Sequence, residues 1–378
     1  MSFPAPAPGE NPMQLHLPEA YDLSDYEALA RERVPAASWA YLAAAAGDGL
    51  TNAANRAAYD RLRLLPRVLS DLSKATTRIN LMGFALEHPI LLAPVAYHRL
   101  FHPDGELATA QGAAIAQAPL VVSTQASTSL EEVRAASRGQ LWFQLYIQPD
   151  WGFTVNLLRR AEAAGYSAVV LTVDAPVSLR TQERRAGFSL PPGVEAVNLA
   201  GLKPRPLHSG GIGSSPLFGT ALPHTPLWGD VARLRSLTRL PILLKGVLAP
   251  DDASRALAEG VDGIIVSNHG GRVLDSLPAS IEALPRIVET LEGRIPVLVD
   301  GGIRRGTDIL KAMALGANAV MIGRPYIHAL AVAGAAGVAH AMHVLRAELE
   351  VAMALTGRPT LDTVNRSILF DPPAPPAP

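Results

Sequence analysis

Eight short apolar runs, each followed by a stretch with helical spacing and helix-boundary residues, predict a closed (β/α)₈ barrel for this 378-residue chain. The runs are unbroken rather than alternating, which is the pattern of parallel strands buried on both faces. A doubly wound open sheet is the main competitor. No GxGxxG follows the first strand, and no acidic residue stands about twenty positions on, so the barrel is preferred.

In order, the predicted strands are 89–95 (PILLAPV), 120–123 (LVVS), 142–146 (WFQLY), 168–173 (AVVLTV), 242–247 (ILLKGV), 263–268 (GIIVSN), 297–302 (VLVDGG) and 319–324 (AVMIGR). Between them, stretches such as TVNLLRRAEAAG and PDDASRALAEG begin near Asp, Thr or Pro and several end in Gly, as helices do. The segment before residue 89 reads as mostly helical, placed to close the barrel's bottom or pack beside it. After strand four comes a long insertion, about 185–228, rich in Pro, Gly and Ser and without a sustained period. Its origin at a strand's C-terminal end suits a lid. The last 45 residues read as one long helix and a tail. A single domain over 21–370 is expected, between disordered Pro-rich tails at 1–20 and 371–378.

Composition narrows the function. A net charge of −1 gives no electrostatic footprint for nucleic acid or an anionic membrane surface. No cysteine is present, so disulfides, thiolate nucleophiles and Cys-ligated metals are excluded. The first twenty residues lack a basic start and an apolar core, and no run reaches eighteen apolar residues. A cytoplasmic protein with no membrane contact is the expectation, and no metal site is predicted.

In a barrel, reactive groups gather where strands finish. The strand ends deliver Pro94, Val95 and Ala96, then Ser123, Gln144 with Tyr146, Thr172 with Asp174, and Lys245. The sixth strand runs into Ser267, Asn268, His269 and Arg272, with two glycines between the last two. Asp300, Gly302 and Arg304 follow the seventh, and Gly323 with Arg324 ends the eighth. Any one of these has a bland explanation as a cap or a solvated charge. Polar groups at nearly every strand end make one site. Glycines after strands seven and eight let backbone N–H groups approach an anion, and Arg304 and Arg324 would pair with phosphoryl oxygens. A phosphorylated sugar, flavin mononucleotide (FMN) and pyridoxal phosphate all satisfy that reading, and Lys245 suits either a Schiff base or a charge beside a flavin ring.

SNHGGRVLD (267–275) and DGGIRRGTDILKAMALGA with IGRP (300–325) are long and specific, and with them the chain resembles the FMN-dependent L-2-hydroxy acid oxidase and dehydrogenase family. The likeness runs from about Tyr26 to about residue 365, and APVAYHRLFHPDGELA (93–108) is most like the hydroxymandelate oxidase branch. The resemblance implies FMN as cofactor, an L-2-hydroxy acid as substrate, O₂ as acceptor with H₂O₂ as product, and a homotetramer. It makes His269 the base, partnered by Asp174. Arg180, Arg272 and Tyr41 would hold the substrate carboxylate, and Tyr146 would sit by the reacting hydroxyl. Lys245 would lie at the flavin N1–C2=O edge. Pro94, Val95, Ala96, Ser123, Gln144, Thr172 and Ser267 would hold the ring, and Asp300, Gly302, Arg304, Gly323 and Arg324 the ribityl phosphate.

Three departures matter. Gln125 stands where relatives often carry an aromatic residue, so the pocket should accept acids larger than glycolate. PVSLR (176–180) is one residue shorter than the glycolate oxidase version. Arg180 is still preferred to Arg184 or Arg185, because TQERRAGF aligns with the family's Arg-x-x-Asp-x-Arg-Asn-Gly-Phe. Leu42 replaces a common second tyrosine, where packing suffices. The nearest alternative activity is the same half-reaction with a quinone or cytochrome acceptor. An FMN-binding isomerase or a non-catalytic binder would need no carboxylate clamp.

Overall fold

The computed structural model describes residues 19–177, 180–203, 218 and 225–370. The predicted tails, apart from Glu19 and Ala20, and the insertion between 204 and 224, apart from Phe218, lie outside the described residues.

Eight parallel strands close into a barrel in the order β10-β3-β4-β5-β6-β7-β8-β9. They are β3 (Ile90–Leu92), β4 (Leu120–Val122), β5 (Leu141–Leu145), β6 (Val169–Thr172), β7 (Ile242–Val247), β8 (Gly263–Val266), β9 (Val297–Asp300) and β10 (Ala319–Ile322). Each matches a predicted run, most trimmed at the end where the chain leaves the ladder for the rim. Helices α4 (Gly105–Ile115), α5 (Leu130–Ala136), α6 (Trp151–Ala163), α8 (Trp228–Arg235), α9 (Pro250–Ala258), α10 (Ser280–Leu291) and α11 (Gly306–Ala314) alternate with the strands. A short helix, α7 (Thr181–Arg185), leads into the insertion.

Period-two geometry sorts each strand's side chains. Ile90, Phe143, Leu171, Leu244, Ile264 and Val299 face the helices in the large outer core. Leu91, Val121, Trp142, Val170, Leu243, Ile265, Leu298 and Met321 fill the barrel's interior.

The segment before residue 89 is helical only in part. It has α1 (Leu23–Arg33), α2 (Ala36–Ala43) and α3 (Leu50–Arg61), then an antiparallel hairpin, β1 (Ile79–Leu81) with β2 (Phe84–Leu86). The hairpin turns through Met82 and Gly83, both at positive φ (52° and 83°), the twist that suits a two-residue hairpin loop. Leu81 and Leu86 join the interior cluster, with Phe84 packed against it, so the hairpin plugs the bottom.

The last helix also differs from expectation. α12 (Arg324–Leu355) begins directly at the end of β10 and is broken at Ala333 and Gly334, where Gly334 has φ 56°. Its second half packs on α1 and α4 as a core helix.

Candidate active site

The site is the next inward-facing layer of the same strands. Two residues beyond Leu91, Val121, Trp142, Val170, Leu243, Ile265, Leu298 and Met321 stand Ala93, Ser123, Gln144, Thr172, Lys245, Ser267, Asp300 and Gly323. Apolar filling gives way there to polar groups, and a cavity of 460 Å³ opens above them. That is within the roughly 300–1,000 Å³ usual for ligand sites.

The layer is bonded internally. Ser123 Oγ donates to Gln144 Oε1 (3.3 Å), and Gln144 Nε2 donates to Thr172 Oγ1 (3.1 Å). Lys245 Nζ donates to Ser267 Oγ (3.0 Å) and pairs with Asp300 Oδ2 (3.2 Å). Burial alone would lower the Lys245 ammonium, but Asp300, Asp174 and Tyr146 outweigh it and raise it above the usual range. Asp300 Oδ1 is buried without a hydrogen-bond partner among the described residues.

The polar residues of SNHGGRVLD each have a task. Ser267 Oγ accepts the His269 backbone N–H (3.0 Å). Asn268 and Asn55 of α3 exchange amide hydrogen bonds of 2.8 and 2.9 Å. His269 turns into the cavity at φ 57°, and its Nδ1 lies 2.9 Å from Asp174 Oδ1. With the carboxylate as partner, Nδ1 carries the hydrogen and Nε2 keeps a lone pair. Burial would raise the Asp174 carboxyl, but the His269 imidazole and the Lys245 ammonium outweigh it and hold it below the usual range. Gly271, at φ 72°, has no room for a side chain: a Cβ would stand 2.6 Å from the Asn52 nitrogen. Asp275 closes the segment by accepting the N–H groups of Asp48, Gly49 and Thr51.

Arg272 is gripped from several sides. Its Nη1 donates to Leu42 O and Ala44 O (3.1 Å each), and its Nη2 pairs with buried Glu183 of α7 at 2.9 Å. Its guanidinium lies 5.2 Å from the Tyr41 ring centroid, and Tyr41 stacks on Phe188 at 4.8 Å. Burial pushes the Tyr41 and Tyr146 phenols up to about 12, so both stay protonated donors at neutral pH.

At the far end, Arg304 and Arg324 line the cavity with Gly302 and Gly323. Arg324 donates to neutral acceptors, Leu42 O, Ala44 O, Gly270 O and Asn52 Oδ1. Burial first, then repulsion from Arg272 and Arg304, pushes its guanidinium down to about 9. Clustered cations held by carbonyls are a socket for an anion. Gly302, at φ 81°, lies against the Asn55 carbonyl, where a Cβ would collide. With the unpartnered Asp300 oxygen available to a hydroxyl, these residues fit the ribityl phosphate of FMN.

Tyr41, Pro94, Val95, Ala96, Gln125, Tyr146 and Arg180 also line the cavity, and only Asp174 and Ser267 among the predicted residues act from behind it. Leu199, Thr225 and Pro226 bring both described ends of the insertion to the same wall. Sequence reasoning missed Glu183, though it stands in the TQERRAGF stretch searched for arginines. It also missed Asn55, Phe188 and Gly246. The last sits at a bulge in β7 with φ 111°, where any Cβ would strike Asp174. The glycine of LLKGV was the available signal.

The family model described as FMN-dependent dehydrogenase matches residues 30–371. The chain is 46% identical over 354 residues to L-lactate oxidase of Alicycliphilus denitrificans, covering 93% of this chain and 97% of the relative. It is 42% identical over 350 residues to glycolate oxidase 1 of Zea mays, covering 92% and 95%. A crystal structure of mandelate oxidase with (S)-2-phenylpropionate superimposes with a TM-score of 0.84 at 42% identity, covering 93% of this chain and 98% of that one.

Proposed function

The chain belongs to the FMN-dependent dehydrogenase family, and from that premise we propose that it oxidises L-2-hydroxy acids, lactate-like or larger, to 2-oxo acids with O₂ as acceptor and H₂O₂ as product. The observation that carries the reading is the His269–Asp174 pair sharing one cavity with Arg180, Arg272, Tyr146 and Lys245.

FMN, when bound, would take up the electron pair and one of the two hydrogens that leave as C–OH becomes C=O, the other leaving as the proton, and would supply them to O₂. The chain's own groups do the rest. Arg272, backed by Glu183, and Arg180 hold the substrate carboxylate, with the Tyr41 phenol as a further donor. This fixes the carbon that reacts. His269 Nε2 takes the proton, and ionised Asp174 stabilises the resulting imidazolium. Tyr146 donates to the reacting oxygen. Lys245, raised by its carboxylate neighbours, stays charged and would favour added negative charge at the edge of a bound flavin ring. Ser123, Gln144 and Thr172 would offer donors and acceptors to that ring, with Ser267 positioning Lys245 from behind, and Gly302 and Gly323 would offer backbone to the ribityl chain. Arg304 and Arg324 would bind the phosphate.

Family likeness supports a homotetramer, which sedimentation tests. The activity is tested by adding L-lactate to the flavin-loaded protein. Bleaching without air followed by peroxide formation in air is expected. No bleaching with any 2-hydroxy acid overturns the reading. Bleaching without peroxide assigns a quinone or cytochrome acceptor instead.

A further inference from the structure

Part of the cavity wall carries polar groups that the reaction does not use. Gln125 lines the cavity with its backbone fixed at both ends: its N–H donates to Ser123 Oγ (3.1 Å), and its C=O accepts from Tyr97 N–H (3.2 Å). Its side-chain amide has no hydrogen-bond partner among the described residues. Tyr97 occupies the left-handed region at φ 57° and ψ 55°, a conformation that non-glycine residues hold only where the surroundings impose it. Its ring packs edge-on against Tyr41 at 6.1 Å, and its phenol too has no hydrogen-bond partner among the described residues.

What imposes that conformation is a buried staple. The Glu106 carboxylate accepts from His98 N–H (3.0 Å), Ser127 N–H (2.8 Å), Ser127 Oγ (2.7 Å) and Thr128 Oγ1 (2.9 Å). It thereby ties the β3–α4 loop, which carries Tyr97, to the β4–α5 loop, which carries Gln125. One uncommitted polar end, the Gln125 amide, therefore stands on a rigid frame in the wall of the cavity that Tyr41, Tyr146 and Arg180 also line, with Tyr97 packed behind Tyr41 as part of the frame. A hydrocarbon packed there would bury an amide donor and acceptor unpaired, which is unfavourable. A hydroxyl there donates to the amide oxygen and accepts from the amide nitrogen.

We propose that the Gln125 amide forms a polar subsite that selects L-2-hydroxy acids whose side chain ends in a neutral hydrogen-bonding group, a hydroxyl above all. The proposal rests on the 2-hydroxy acid reading of the same cavity. A neutral group is specified because the amide is uncharged and the cavity's arginines serve the C1 carboxylate and the phosphate end.

Isosteric pairs test it. L-2,4-Dihydroxybutanoate and L-2-hydroxypentanoate differ only in a terminal hydroxyl against a methyl, and the pair one methylene longer is run beside them. On the flavin-loaded enzyme, kcat/KM should favour the hydroxyl member of the better pair by about tenfold or more. Gln125→Leu should bring that ratio to one or invert it, whereas Tyr97→Phe, which alters only the frame, should leave it unchanged. A wild type that favours the methyl member in both pairs overturns the proposal, as does a ratio unchanged in Gln125→Leu. Calorimetric binding of the same acids separates the two readings. If no acid is oxidised, the activity assignment fails, while the binding ratio still decides the subsite.

Discussion

The two ends of the barrel are built from the same strands and differ by one step of the pleat. At the bottom, Trp142, Leu243, Leu298 and Met321 meet the hairpin's Leu81, Leu86 and Phe84 in an apolar plug whose one buried polar atom without a partner among the described residues is the Trp142 indole nitrogen. At the top, the side chains two residues on are Gln144, Lys245, Asp300 and the bare Gly323, around a cavity. The bottom carries no charge to satisfy and gives stability by burial alone. The top holds a buried lysine, a buried aspartate with an unpartnered oxygen and crowded arginines, an arrangement that lowers stability in exchange for a place to bind. Stability and chemistry are thus separated along the barrel axis, and mutations at the two ends should fail differently.

The largest effect should come at the top. His269→Gln removes the group that takes the proton and leaves the apolar plug untouched. Flavin reduction by L-lactate should slow by at least ~10²-fold, the low end for losing a general base. FMN should still bind, and the unfolding midpoint should stay near that of the parent. Reduction at a near-parental rate would remove His269 from the role. Loss of folding would show that the two ends are not independent.

The mirror experiment is at the bottom. Leu81 is 1% exposed and belongs to the interior cluster. Leu81→Ala should cost about 2–5 kcal/mol of unfolding free energy, as buried leucine truncations do. The kcat of the folded fraction should change by less than about twofold, since Leu81 is not among the residues that line the cavity. A large fall in kcat without a fall in stability would break the division.

The same division explains what the sequence made legible. The eight apolar runs mark the strands because burial on both faces demands them, and the period of two then points to the rim. Lys245, Asp300 and the SNHGGRVLD residues stand out since a polar side chain at the end of such a run has little other reason to be there. The hairpin escaped because three-residue strands leave no period to detect. Glu183 and Asn55 escaped for a different reason. Their partners, Arg272 and Asn268, lie 89 and 213 residues away, and nothing local requires a glutamate on a short helix or an asparagine on α3. Gly246 was visible as a letter, but its need came from Asp174, just past the end of the neighbouring strand β6.

The finest probe of the comparison is acid stability, where the top should contribute a pH-dependent share that the plug cannot. Asp174 is held below the usual carboxyl range, its burial outweighed by His269 and Lys245. A carboxyl depressed in the folded state stabilises that state at every pH above its unfolded value of about 3.9. The share is lost as pH falls through the depressed folded value. Asp174→Asn keeps the shape and an acceptor for His269 Nδ1 but cannot ionise. The difference in unfolding free energy between parent and variant should therefore be constant above about pH 5 and shrink between about pH 4 and pH 3. Urea titrations at pH 6, 5, 4 and 3 would measure it, with Leu81→Ala as a control whose deficit should not move with pH. A gap that widens on acidification would mean that burial dominates at Asp174.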